Sequence, residues 1–293
     1  MPSESKTVLI TGASGGVGQA TVNRLDGMGW QVFAGVRSLD AGKRLAHGSR
    51  RVIPVRLDVC DEGSLAEARA EIDVRLGGQG LDALINNAGL SVDGPIELLP
   101  ETALRRQFDV NVVGKIATTR VFLPLLRQAG GRVVNIGGAS GRMTLPMFGA
   151  LGAGTAALDS LTDALRMELR YQGVQVSYIE PGGLQTEFFG KSAQEAKNAG
   201  YAGGPEVQQL YRKAIDASTK ALAESRKSPV EAAVAAIVKA LTARRPASRY
   251  VVGTQAKYGM PILLRLPIRW RDRVLMSTLG LQRQMFAPIE SSR

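Results

Sequence analysis

Short apolar runs alternate along this chain with longer stretches whose apolar residues recur at helical spacing. Val8, Leu9 and Ile10 form the apolar centre of a run over Thr7–Thr11, and the pattern from Gly16 to Met28 is helical. Further strands are predicted at Gln31–Val36, Arg51–Leu57, Leu81–Ile85, Arg132–Ile136, Val174–Ile179 and Arg249–Val252. Helices are predicted over Glu62–Leu76, Thr102 to about Gln128, Leu151–Tyr171 and Val230–Leu241. Near-continuous apolar strands separated by amphipathic helices predict an α/β fold built on a doubly wound parallel sheet. Ser228-Pro229 reads as the capped start of the last of these helices.

The stretch TVLITGASGGVG from Thr7 to Gly18 carries the first chemistry. A glycine-rich turn between a buried strand and a helix lets backbone N–H groups approach a pyrophosphate, and the helix start adds partial positive charge. That context points to dinucleotide binding by Thr11, Gly12, Ser14, Gly16, Val17 and Gly18. The second strand ends at Arg37, where an acid would bind a ribose 2′-hydroxyl and an arginine fits a 2′-phosphate, so NADP is expected before NAD. Asp58-Val59 after the third strand suits an adenine amino group and ring. Asn86-Asn87-Ala88-Gly89 closes the fourth strand, where two amides can bond across strands and face the ligand crevice. Asn111, in mid-helix, is unfavourable by propensity and calls for a reason.

Composition narrows the setting. The chain has 293 residues and a net charge of +11. Residues 1–190 hold 19 basic and 19 acidic side chains, whereas 191–293 hold 18 and 7, so the whole excess lies in the last third. Residues 257–286 mix Ile262, Leu263, Leu264, Ile268, Trp270, Val274 and Leu275 with Arg265, Arg269, Arg271, Arg273 and Arg283. That mixture suits peripheral contact with anionic lipid, or a tail packed over a substrate mouth or on a second subunit. No nucleic-acid module is visible. One cysteine, Cys60, and one histidine, His47, give no metal cluster and fit a reducing, cytoplasmic setting.

Taken together these residues resemble the short-chain dehydrogenase/reductase family, which implies a Rossmann fold. The resemblance runs from Thr7 to Thr186: the Thr11-Gly12-xxx-Gly16-x-Gly18 turn, Asn86 to Gly89, Asn111, and Pro181-Gly182 with Thr186. It adds Ala88, Pro181, Gly182 and Thr186 to the expected NADP-binding set of Arg37, Asp58, Val59, Asn87 and Gly89. A looser resemblance to hydroxysteroid and retinol dehydrogenases runs through Arg249-Tyr250, Gly253 and Ala256-Lys257. Residues 1–255 then form one domain with a substrate lid at about 190–226, and residues 256–293 a basic amphipathic C-terminal extension.

The family's catalytic machinery is a serine after the fifth strand and a Tyr-xxx-Lys on the next helix, beside the helix asparagine. Ungapped register places Gly138 at the serine position, Leu151 at the tyrosine and Thr155 at the lysine, so of the four only Asn111 remains. Ser140 would enter only through a rearranged loop, and Arg142, Asp159 and Glu180 read as solvated or salt-bridged. General acid–base assistance is worth about 10²–10⁴-fold, so ordinary alcohol–ketone interconversion is not expected. Three functions stay open: an oxidoreductase on a small apolar substrate that needs no tyrosine, such as an imine or conjugated acceptor; an inactive subunit forming homo-oligomers or pairing with an active relative; or a non-redox cyclase or isomerase.

Overall fold

In the computed structural model, residues 5–186, 188 and 200–286 are described. Seven strands make one sheet: β1 Thr7–Thr11, β2 Gln31–Val36, β3 Val52–Arg56, β4 Ala83–Asn86, β5 Arg132–Ile136, β6 Gln175–Pro181 and β7 Arg249–Val252. Their order is β3-β2-β1-β4-β5-β6-β7, and every neighbouring pair is parallel. The direction of winding reverses between β1 and β4, which opens a crevice at the carboxyl ends of those strands.

Helices cover both faces, as the unbroken apolar strands require. On one face, α1 (Gly16–Gly27) and α8 (Val230–Thr242) bring Val22, Leu25, Ala233, Ile237 and Leu241 against Val8, Ile10 and Val32. On the other, α3 (Glu62–Leu76) and α5 (Gly114–Ala129) set Leu65, Ile72, Phe122 and Leu126 against Leu9, Phe33 and Leu84. Each such fully buried side chain contributes about 1.5–3 kcal/mol. Two shorter helices, α2 (Leu39–Leu45) and α4 (Glu101–Phe108), lie between these. The long helix α6 spans Gly149–Glu168 and α7 spans Pro205–Glu224. After β7 come α9 (Met260–Leu263) and α10 (Ile268–Thr278). The expected sheet, its order of elements and its C-terminal extension are therefore present.

Several expectations need correction. The helix expected over Thr102–Gln128 is three pieces, because residues Asp109–Val113 form a π-turn between α4 and α5. The helix expected at Leu151–Tyr171 starts at Gly149 and gives way to a 3₁₀ turn at Arg170–Gln172. Ser228 does not cap α8: its backbone N–H donates to Gly183 O and its carbonyl accepts from Gln185, while Pro229 occupies the cap position. Part of the stretch expected as a lid, about 190–226, lies outside the described residues, and α7 occupies Pro205–Glu224 within it.

At the β6–β7 edge, Glu180 is fully buried between two guanidinium groups, Arg249 Nη1 at 2.7 Å and Arg142 Nη1 at 3.4 Å. Arg249 also pairs with Asp159. Removing one partner of a buried pair strands the other charge. Arg249→Met should cost about 3 kcal/mol in urea unfolding, and adding Glu180→Gln should recover part of it; equal stability of parent and single variant would refute the assignment.

Candidate active site

The glycine turn and the end of β4 are built as one body. Thr11 is fully buried, and its Oγ1 accepts from Asn87 N and Ala88 N, each at 3.0 Å. In return Asn87 Nδ2 donates to Thr11 O at 3.1 Å and Gly12 O at 3.0 Å. Gly12 adopts φ +62, and a Cβ there would lie 2.9 Å from Ala88 Cα. A Cβ on Gly18 would meet Gly12 O at 2.4 Å, and one on Gly16 would meet Thr186 Cγ2 at 3.2 Å. Ser14 is exposed and Val17 half-buried on the same turn. The structure thus packs Thr11–Gly18 closely against Asn87–Gly89 and Thr186, with no room for a side chain at Gly12 or Gly18; a backbone cradle at the start of a helix suits a pyrophosphate. Pro181 ends β6, and Gly182 N donates to Val252 O at 2.9 Å.

Arg37 lies exposed just past β2. Asp58 Oδ1 accepts from Cys60 N at 3.0 Å, and Val59 is buried. Burial first, then the Asp58 and Asp109 carboxylates, raise the Cys60 thiol, while Arg106 and Arg37 oppose them. Arg37 therefore shares the surroundings of Asp58–Cys60, where an adenosine would lie.

Asn111 has its reason. It sits in the π-turn, a feature found often at functional sites. Its Oδ1 accepts from Leu90 N at 2.9 Å and its Nδ2 donates to Leu90 O at 2.7 Å, clamping the loop that leaves Gly89. Beneath it, Asn86 Nδ2 donates to Thr119 Oγ1 at 2.9 Å and Asn135 Oδ1 at 2.8 Å, and Asn135 Nδ2 donates to Thr162 Oγ1 at 2.9 Å.

Gly138, Leu151 and Thr155, where the resemblance would place the family's serine, tyrosine and lysine, carry no ionisable side chain. Gly138 leads into a 3₁₀ turn, Ala139–Gly141, and a Cβ on it would make only ordinary contacts. Thr155 is buried and its Oγ1 donates to helix carbonyls at Leu151 and Gly152. Leu151 packs with Met147, Phe148, Leu279 and Leu281 in an apolar wall. That wall includes the C-terminal segment, so the tail covers this side of the cleft, while Ile262, Ile268, Trp270 and Val274 stay exposed. Ser140 Oγ lies 3.1 Å from Thr155 Oγ1. Arg142, Asp159 and Glu180 are salt-bridged, as expected.

Two residues that sequence reasoning passed over lie close by. Tyr178, on β6, has its hydroxyl 3.3 Å from Gly138 N and 3.2 Å from Thr155 O. It is 2% exposed, and burial raises its phenol well above the ordinary value, opposite to what a proton-shuttling tyrosine needs. Its ring fills the space beside Gly137, where a Cβ would fall 1.8 Å from the hydroxyl oxygen. Lys115 lies one helical turn beyond Asn111, 3% exposed, and its Nζ donates to Ile136 O. The signal was available: a lysine on the face shared by Asn111 and Thr119 points inward.

The chain matches the family model for short chain dehydrogenase over residues 6–197. It belongs to that family. Retinol dehydrogenase 7 of Rattus norvegicus is 34% identical over 280 residues, covering 93% of this chain and 88% of that protein. The 3-amino-tetrahydro-pyrrolizinone reductase of Xenorhabdus hominickii is 32% identical over 255 residues, 86% of this chain and 88% of that protein. A short chain dehydrogenase from Burkholderia cenocepacia, solved in complex with NADP, superposes with a TM-score of 0.71 at 26% identity, covering 96% of this chain and 100% of that one. Among the described residues no helix is long and apolar enough to cross a membrane.

Burial lowers the Lys115 amine from 10.5 to about 7. The unfolded amine binds its proton below 10.5 and the folded one only below about 7, so between those values the unfolded chain holds the extra proton. Stability therefore rises with pH across that window and is lowest beneath it. Lys115→Met should flatten this slope and be more stable than the parent on its acid side; urea unfolding on both sides of the window checks it, and an unchanged slope would count against the burial argument.

Proposed function

We propose that this chain is an NADP(H)-dependent oxidoreductase that reduces a small, largely apolar acceptor whose chemistry needs no tyrosine relay, an imine or a conjugated alkene. The observation that carries the reading is the pairing of a retained nucleotide cradle with Gly138, Leu151 and Thr155 at the proton-relay positions. Backbone N–H groups of the Thr11–Gly18 turn would hold the pyrophosphate, with Asn87 fixing the turn's carbonyls. Arg37 would meet the 2′-phosphate, and Asp58 and Val59 the adenine. Thr186, beside Gly16, would close the far edge of the cradle. NADPH, when bound, supplies a hydride.

The chain's remaining task is orientation and exclusion of water. The Asn111–Leu90 clamp fixes one side of the cleft, and the wall of Met147, Phe148 and Leu151 with Leu279 and Leu281 supplies the other. Holding reactants in register can account for much of a barrier. A ketone accepting hydride leaves an alkoxide that must be protonated in place, and the relay positions offer no acid. A pre-protonated imine does not make that demand. The pyrrolizinone reductase, whose name describes a nitrogen bicycle, supports a nitrogen-containing acceptor, and the NADP-bound structural relative supports the cofactor.

Fluorescence titration should show NADPH binding more tightly than NADH, with Arg37→Ala weakening NADPH by roughly tenfold and NADH little. NADPH oxidation should proceed with cyclic imines and be far slower with matched ketones. No binding of either NADP form at millimolar concentration would defeat the reading, as would a preference for the ketones.

A further inference from the structure

The loop from Leu90 to Leu99 carries a carboxyl group outside every role assigned so far. Asp93 is largely buried, and among the described residues its hydrogen-bond partner is Ser91 Oγ. Ser91 is itself 1% exposed. Three contacts hold the loop in place. Leu90 is clamped by Asn111, Val92 N donates to Gln107 Oε1 at 2.6 Å, and Gly94 N donates to Met147 O at 2.8 Å. Met147 precedes Leu151 by four residues, so the carboxyl is docked beside the entry to α6, next to the apolar wall. From above, Tyr201 lies over Gly94, and Ala202 N donates to Leu98 O at 2.8 Å.

Two further observations distinguish this place. Gln107 is fully buried, and among the described residues its Nε2 finds no partner, while its Oε1 holds Val92 N. A buried amide donor left unpaired is costly. Met147 is the one non-glycine residue of positive φ among the described residues, at φ +70, and backbone held this way clusters at ligand sites. Burial also pushes the Asp93 carboxyl up to about 6, against the opposing effect of the Ser91 bond. Of the groups facing it, Tyr201 is the titratable one from the covering segment, its phenol raised by burial and then by Asp93; Ser91 is neutral.

We propose that Asp93 is the ligand-binding acid of this cleft, recognising a basic nitrogen by ion pairing. A nitrogen that arrives already protonated, as a secondary amine does at neutral pH, pairs with the Asp93 carboxylate; one that arrives unprotonated takes the Asp93 proton, the O–H bond breaking as an N–H bond forms on the lone pair. Either way a carboxylate–iminium (or carboxylate–ammonium) pair results, with no change of oxidation state, and Ser91 stabilises the carboxylate. The proposal rests on the imine reading for its place in turnover, but the binding site does not require turnover. Specificity follows from the same group: a ketone of equal shape offers Asp93 a hydrogen bond at most, whereas a basic nitrogen forms an ion pair with it.

Calorimetry on the full chain with tetrahydroisoquinoline, and with 2-tetralone as its neutral ketone counterpart, tests this. The amine should bind at least tenfold more tightly than the ketone. Asp93→Asn should remove that advantage while leaving tetralone and NADPH affinities within about twofold. Ser91→Ala, which keeps the carboxyl, should weaken amine binding by a smaller factor. Unchanged amine affinity in Asp93→Asn, equal affinity of amine and ketone, or no amine binding by the parent chain would each overturn the assignment. Amine binding that depends on Asp93 without imine reduction would uphold this site and sink the proposed function; imine reduction indifferent to Asp93→Asn would do the reverse.

Discussion

The contact on which this cleft depends is the pair of amides between β4 and β5. Asn86 and Asn135 face each other in register, both completely buried, and each reaches onward to a threonine, Thr119 on α5 and Thr162 on α6. Those threonines in turn return their hydroxyls to helix carbonyls at Lys115 and Leu158. One helix, two strands and a second helix are thereby tied at a single level of the sheet. A buried polar chain of this kind has little tolerance for slippage, because any shift leaves donors unpaired in a low dielectric. It fixes where the π-turn leading into α5 presents Asn111 and where α6 presents Leu151.

On that frame the two halves of the cleft have different characters. The nucleotide side is made from backbone and small residues held by Thr11 and Asn87, so its chemistry is carried by peptide N–H groups. The other side is made from side chains, with Gly138, Leu151 and Thr155 along it and the C-terminal segment packed over Leu151. The buried polar residues around it come from separate elements: Lys115 bonds Ile136 O, Tyr178 bonds Gly138 N and Thr155 O, and Asp93 bonds Ser91.

Much of this was legible in the residues. Gln31–Val36, Glu62–Leu76 and Arg249–Val252 lie where their periodicity places them, because apolar runs bounded by turn residues leave few alternatives. The convergence of the glycine turn with Asn87 followed from strand order alone. What escaped depended on three-dimensional neighbours. The π-turn at Asp109–Val113 exists because Asn111 must reach Leu90, a contact 21 residues back that no local pattern encodes. Ser140 looked remote because a two-residue offset is large along a strand, but the 3₁₀ turn at Ala139–Gly141 folds it back onto Thr155. Asp93 went unremarked, because its burial comes from the distant segment that carries Tyr201 and from the docking of Gly94 on Met147.

The crowding at Gly137 couples two positions. With the Tyr178 ring and hydroxyl lodged where a β-carbon would stand, no larger residue fits at 137 while the phenol is there. Removing the phenol first would leave a hole under Gly138 and Thr155. Either order of exchange passes through a worse-packed intermediate, so the two positions are interlocked by packing alone.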